Sequence, residues 1–471
     1  MKKPKVRWLL RLGFLLAALF SGGCAHYPPN HLLKEVSPEG GYRLRNSERS
    51  DRSDELLLVL TFSGGGTRAA ALSYGVLEQL AQTEVIQGGR KRYLLDEVDA
   101  ISAVSGGSFT AAYYGLFGWK IFEDFETRFL KKNVQKDLFM EAIEAGNWVR
   151  LWSSTFGRSD LAAEYYDKNI FEGKTFGDIL AQGGPLILIN ATDLALGSHF
   201  TFTQDMFDLI CSDVALYPVS RAVAASSAVP GILTPITLYN YAGTCNYDPP
   251  EWMKKALDGP PLSRRRTQLA QIYASYLDSK KRPYIHLVDG GPSDNLGLRG
   301  AIDRLTPRGD IWSSLQYMRW ENTRKVVIIL VNAQKETDTG SDRLERTLTS
   351  GQVLKSITNF PITRFNFETI ELFRENARMW IEEIRSRRCG AGKEKGAANA
   401  GTVSQEACAD IDFYLIEVDF ESLPDKAERA YFTSLPTSFH LSFEEVDLLR
   451  AVGRRVLMNS PEFKRLLADL K

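Results

Sequence analysis

Three consecutive glycines, Gly64-Gly65-Gly66, stand between an apolar run, Leu56 to Phe62, and a helix-like stretch, Thr67 to Gln82. A junction of this kind leaves a chain few choices. Residues without side chains expose backbone N–H groups at the positive end of a helix, and that arrangement binds negative charge. The charge is either a ligand phosphate or an oxyanion formed during a reaction. Gly64, Gly66 and Ala69 fit the dinucleotide pattern G-x-G-x-x-G/A. That pattern also requires an acidic residue at the end of the next strand. The next strand-like run, Val98 to Val104, ends instead in Ser105-Gly106-Gly107-Ser108. No G-K-[ST] follows the glycines, so the Walker pattern fails as well.

Further strand candidates are Pro185–Asn190, Tyr284–Val288, Val326–Asn332 and Phe413–Phe420. Most are continuous apolar runs, the pattern of strands buried on both faces. With helix-like segments between them, they predict an α/β fold whose central sheet is mainly parallel and flanked by helices. The strand at Phe413 belongs to the same sheet. Residues 55–471 therefore read as one domain with a helical C-terminal extension, which opens on the capping box Ser442-x-x-Glu445. Residues 390–404 read as a loop.

The first residues read as an address. Lys2, Lys3, Lys5, Arg7 and Arg11 precede an apolar stretch, Leu12 to Phe20, too short to span a bilayer. Ser21-Gly22-Gly23-Cys24 follows and resembles a bacterial lipoprotein signal, with Ser21 where a Leu is usual. Residues 1–23 are then a signal peptide, and Cys24 becomes the lipid attachment point. The simpler alternative is a plain secretory signal. The lipoprotein reading places the protein in the bacterial cell envelope, at the periplasmic side of the outer membrane. The polar residues 24–54 read as a tether.

Fifty-eight basic and 58 acidic residues balance, which gives no bias toward nucleic acid. Among the other cysteines, Cys211 with Cys245 and Cys389 with Cys408 are the nearest-neighbour pairs in an exported chain; free buried thiols are the alternative. Scattered histidines and the lack of C-x-x-C leave no metal-ligand pattern, and none is expected. Trp148, Trp152, Phe156, Tyr165 and Tyr166 fit either core or a substrate-facing wall. The basic segment within Glu251–Lys281 is a solvated helix face or a contact for lipid headgroups.

Ser105 lies between a strand end and a glycine-opened helix. That is the setting of a nucleophile elbow, although Ser-Gly-Gly-Ser also occurs as a plain turn. The Gly106 N–H would then face the oxyanion. A serine needs a base. His440, in Thr437 to Leu441, would complete a triad. Asp289, in Leu287-Val288-Asp289-Gly290-Gly291, sits at a strand end with room around its carboxylate. There it either caps a turn or acts as a base whose affinity for protons burial would raise.

Together Gly64 to Arg68, Ser105 in its elbow and Asp289-Gly290-Gly291 resemble the patatin-like phospholipase family. So do Ala225 to Pro235 and Asn190 to Asp193, all in the family's order. Ala103 and Ala69 stand where glycines are usual. The resemblance implies a three-layer α/β/α fold and a Ser–Asp dyad without histidine. Ser105 would be the nucleophile and Asp289 the base. The N–H groups of Gly64, Gly65 and Gly66 would form the oxyanion hole, with Arg68 in the family's basic position. It further implies a lipid acyl hydrolase, a phospholipid or other lipid ester as substrate, no cofactor, and a membrane surface as partner. An acyltransferase with the same dyad and a silent lipid- or partner-binding lipoprotein are the other readings.

Overall fold

A computed structural model describes residues 25–43, 53–87, 89–259, 263–300, 310–318, 320–335, 342, 345, 347–394 and 411–470. The apolar runs form strands β1 (Leu56–Phe62), β4 (Val98–Val104), β5 (Leu186–Asp193), β8 (Tyr284–Val288), β9 (Lys325–Asn332) and β10 (Asp412–Asp419). Shorter strands are β2 (Glu84–Gln87), β3 (Arg90–Tyr93), β6 (His199–Thr201) and β7 (Ile236–Tyr239). The main sheet runs β10-β9-β1-β4-β5-β8-β7, with β6 beside β5. The pairings from β10 to β5 are parallel. Those of β6, β7 and β8 are antiparallel.

Burial explains why the strands lack polar alternation. Every residue of β4 and β5 is buried. Val327, Ile329 and Val331 of β9 face the main core, while Ile328 and Leu330 face a second cluster on the opposite side. A strand's period of two thus delivers apolar side chains to helical layers on both faces. The helices used below are α1 (Thr67–Gln82), α2 (Gly106–Phe117), α3 (Val134–Ile143), α4 (Ala145–Arg150), α5 (Val219–Ser226), α6 (Ser350–Glu394) and α7 (Phe443–Asn459). Phe373 of α6 covers the second cluster. The architecture is the expected three-layer α/β/α.

The C-terminal helices are no appendage. Val446, Leu449, Val452 and Val456 of α7 join the main core. At the crossing of α1 and α7, a Cβ on Gly75 would fall 2.3 Å from the Arg450 carbonyl oxygen, and one on Gly453 would fall 2.7 Å from that of Leu72. Only glycine permits that approach.

The described part of the expected tether is strapped to the body. Asn30 Nδ2 donates to Ser212 Oγ and to the Tyr239 carbonyl, at 2.9 and 3.1 Å. The Tyr42 hydroxyl reaches the backbone of Ile187, and buried Arg43 pairs with Asp205 and Asp208 at 2.6 Å each. The Leu33 N–H donates to the carbonyl of Cys211, which forms a disulfide with Cys245. Turn-rich polar residues looked like a linker, but their polar groups find buried partners far along the chain. Cys389 is also disulfide-bonded; its expected partner Cys408 lies outside the described residues, as do Cys24 and the signal segment. α6 extends through Glu394, into the segment expected to be a loop, and the rest of that segment lies outside the described residues.

Phe156, Tyr165 and Tyr166 are buried, whereas Trp148 and Trp152 are exposed. Arg264 and Arg265 are exposed, which suits a solvated helix face and a headgroup contact alike. Among the described residues, no helix is long and apolar enough to cross a membrane.

Candidate active site

β4 delivers Ser105 to the C-terminal end of the parallel strands, and α2 begins at the next residue. Ser105 has φ 50° and ψ −120°, a conformation that costs an L-residue about 1–3 kcal/mol. The surroundings hold it there. Its N–H donates to Ser226 Oγ at 2.8 Å, and the Ser226 hydroxyl donates to the Asn190 carbonyl at 2.6 Å. Ser108 Oγ lies 2.9 Å from the same hydroxyl. The glycines after Ser105 are sterically required. A Cβ on Gly106 would fall 2.0 Å from the Gly66 carbonyl oxygen, and one on Gly107 would fall 2.7 Å from Phe62 Cβ. The elbow and the triple-glycine loop therefore lie backbone to backbone. Ala103 is fully buried in β4, so its methyl group is accommodated where a glycine is usual.

The Ser105 hydroxyl donates to Asp289 Oδ2 at 2.8 Å. The other carboxylate oxygen accepts the Gly291 N–H at 2.8 Å. Burial pushes the Asp289 carboxyl up to about 6 from its ordinary 3.8, with the Gly291 N–H and the Ser105 hydroxyl pulling back. A carboxylate so placed exists as a base at neutral pH and holds protons more firmly than an exposed one.

β8 brings Asp289 to this end from an unexpected direction. In a wholly parallel sheet the ends of β4 and β8 would lie together, yet β8 runs antiparallel to β5. Only its last two residues pair with β5, Leu287 with Asp193 and Val288 with Thr192. β8 therefore meets the C-terminal end of β5 while running in the opposite direction. Two backbone bonds fix the turn after it: Asp289 N–H to the Ala228 carbonyl, and Gly290 N–H to the Ser226 carbonyl, both 3.1 Å. Ser226 thus ties nucleophile and base together. It lies in the small-residue segment already noted in the sequence, but nothing local to it indicates this role.

The triple glycine sits beside the dyad, with one N–H engaged. The Gly64 N–H donates to the Asn295 carbonyl at 3.1 Å, so it differs from its expected role as an oxyanion donor. A Cβ at this position would fall 3.4 Å from Ser105 Cβ and 2.5 Å from Asn295 Oδ1. Gly65 and Gly66 have φ 144° and 62°. Among the described residues, neither their N–H groups nor that of Gly106 has a hydrogen-bond partner.

Arg68 does not reach into the site. Its guanidinium is buried and donates to the carbonyls of Ala333 and Leu435 and to Thr437 Oγ1. It braces the start of α1 against the loops after β9 and before α7. Burial lowers it to about 10, so it remains charged at neutral pH. The sequence showed the basic position; the brace requires residues some 265 and 367 positions away. His440 is exposed and has no bond to Ser105 or Asp289 among those described.

The patatin-like phospholipase family model matches residues 60–302, just over half of the 471 residues, and that span holds both members of the dyad. The chain belongs to the patatin-like phospholipase family. A search of curated proteins returns no match. Among solved structures it is similar to human GIVD cytosolic phospholipase A2, at 13% identity and TM-score 0.38, covering 95% of this chain and 66% of that one. It is also similar to VipD from Legionella pneumophila, at 12% identity and TM-score 0.29, covering 90% and 71%. This patatin-like chain thus spans just under two thirds of the human enzyme's length.

Proposed function

We propose that the protein hydrolyses phospholipid or lysophospholipid esters through an acyl-enzyme on Ser105, with Asp289 as the only general base. The 2.8 Å bond between the Ser105 hydroxyl and Asp289 carries this reading, because it gives the nucleophile a base without a third residue. Asp289 takes the hydroxyl proton as Ser105 Oγ attacks the ester carbonyl. Collapse of the tetrahedral intermediate expels the alcohol, which takes that proton from Asp289. Asp289 then deprotonates a water that attacks the acyl carbon, and the second intermediate expels Ser105 Oγ, which takes the proton back from Asp289 as the fatty acid leaves.

The N–H groups of Gly65, Gly66 and Gly106 are the donors for the oxyanion, each typically worth ~3 kcal/mol of barrier. Arg68 acts at one remove by bracing the glycine loop with a buried positive charge. No metal or cofactor enters this scheme. The signal-like residues 1–23 support an anchor at Cys24, which would hold the enzyme on a bilayer of the bacterial envelope.

The test uses the full chain with phospholipid vesicles and with a soluble butyrate ester. Fatty acid release should fall about 10⁴-fold or more in Ser105→Ala and in Asp289→Asn. Full activity in Ser105→Ala overturns the mechanism. An inert wild type leaves the silent binding reading, and transfer to an added alcohol in preference to water makes the protein an acyltransferase.

A further inference from the structure

The outer surface of α3 and α4 is apolar where a solvated helix is expected to be polar. Phe139 is 64% exposed, Met140 53%, Ile143 52%, Trp148 49% and Trp152 55%. This is not poor packing. The opposite side of α3 is anchored in the body, with Val134 buried and Asp137 accepting the Tyr165 hydroxyl at 2.6 Å. Phe139, Met140 and Ile143 share one helical face with the exposed Lys136, by the i, i+3, i+4, i+7 rule. Trp148 and Trp152 lie against each other, their ring centroids 4.5 Å apart. A monomeric soluble surface seldom concentrates such residues, and those that do are interaction sites.

Two neighbouring segments say what covers this face. The first is the start of the described chain. The Ala25 carbonyl accepts the hydroxyls of Ser153 and Thr155, and the Tyr27 N–H donates to the Thr155 carbonyl at 2.8 Å. Ala25 directly follows Cys24 in sequence, and it is bound to Ser153, the residue next to Trp152. The second is the rim of the dyad. Ile232, 66% exposed, lies in the loop that follows Ala228, whose carbonyl holds Asp289. That loop packs on the segment after Thr155. The Ser159 N–H donates to Thr234 Oγ1 at 3.1 Å, and exposed Arg158 reaches the Gly231 carbonyl at 3.4 Å.

We propose that Phe139, Met140, Ile143, Trp148 and Trp152 form a second membrane contact. They insert into the interface of a phospholipid bilayer beside the anchor point and turn the Ile232 rim of the dyad toward it. Trp and long cationic side chains favour this zone, since each has an apolar body and a polar end. A lipid anchor fixes one point of a protein on a bilayer, and a second apolar contact restricts its orientation there. The insertion is independent of turnover; its benefit to catalysis rests on the lipid hydrolase reading.

The experiment reads the two separately. In the Ser105→Ala background, the mature chain is mixed with vesicles of phosphatidylcholine and phosphatidylglycerol containing brominated lipid. Part of the tryptophan emission should be quenched, and Trp148→Phe with Trp152→Phe should remove most of that quenching. With Ser105 intact, Phe139→Glu with Ile143→Glu should lower vesicle hydrolysis about tenfold and leave soluble butyrate hydrolysis within about twofold. Both substitutions are on exposed side chains, and an unchanged melting temperature verifies folding. Equal quenching in wild type and the Trp double variant overturns the proposal. So does an equal fall of both activities, or a patch that proves to be a dimer interface, with Phe139→Glu converting dimer to monomer and quenching unaffected. If no ester is hydrolysed at all, quenching still decides the insertion.

Discussion

Ser105 follows β4, whose neighbours β1 and β5 both run parallel to it. Asp289 follows β8, whose neighbours β5 and β7 both run against it. The two ends meet within 2.8 Å but are held there differently. The nucleophile is a strained residue hydrogen-bonded to Ser226 and followed by two glycines that allow no added atom. The base is held by hydrogen bonds to Ala228 and Gly291, with the next residue Gly290 bonded to Ser226, and tuned by burial. Substitutions in the first half should therefore act sterically, and those in the second mostly through charge and hydrogen bonding.

The largest combined loss of activity and stability should come from Gly106→Ala. The added methyl would fall 2.0 Å from the Gly66 carbonyl oxygen, between two backbones that cannot move aside. Loss of activity by over about a hundredfold and destabilisation of about 3 kcal/mol in urea unfolding are expected. If Gly106→Ala is mild, steric control of this half is wrong.

Asp289→Asn should stabilise the protein while destroying activity. Its carboxyl is raised in the folded state, so its favourable contribution is complete below about 3.8 and lost as pH rises through about 6. Wild type and variant should unfold alike near the lower pH. Above the higher one the variant should gain about 2–3 kcal/mol. Over the same range, wild-type kcat/KM should fall about tenfold per unit of pH below about 6, as the base is protonated. A flat profile through that window removes Asp289 as the base.

Ser226→Ala joins the two halves in one test. It leaves the Ser105 N–H without its acceptor, at about 1–3 kcal/mol. It should lower kcat about tenfold with little change in KM, because the elbow shifts and the surface that binds substrate does not. The smallest effect is His440→Ala, which should match wild type in both activity and unfolding; an inactive variant would restore the triad.

Local constraints made one half easier to read than the other. The apolar runs that became β1, β4 and β8 carry their burial in consecutive residues, so their limits were legible. Ser105 was legible because an elbow needs small neighbours on the same stretch of chain. The direction of β8 was not, since an apolar run of five residues reads the same in a parallel or an antiparallel pairing. Residues 25–43 were misread because polar turn residues suit a linker as well as a strap, and only partners such as Asp208 and Ser212 separate the two.

By itself the sequence determined the α/β class, the order of the motifs and the identity of Ser105 and Asp289 as candidates. Each is set by residue type and spacing within a few positions. Tertiary structure alone decided that the Gly64 N–H is taken by Asn295, that Arg68 braces instead of reaching the site, and that Ser226 spans the dyad. It also decided that Trp148 and Trp152 face outward beside Ala25. These outcomes depend on which distant backbone supplies a partner or withholds one, and no local pattern encodes that.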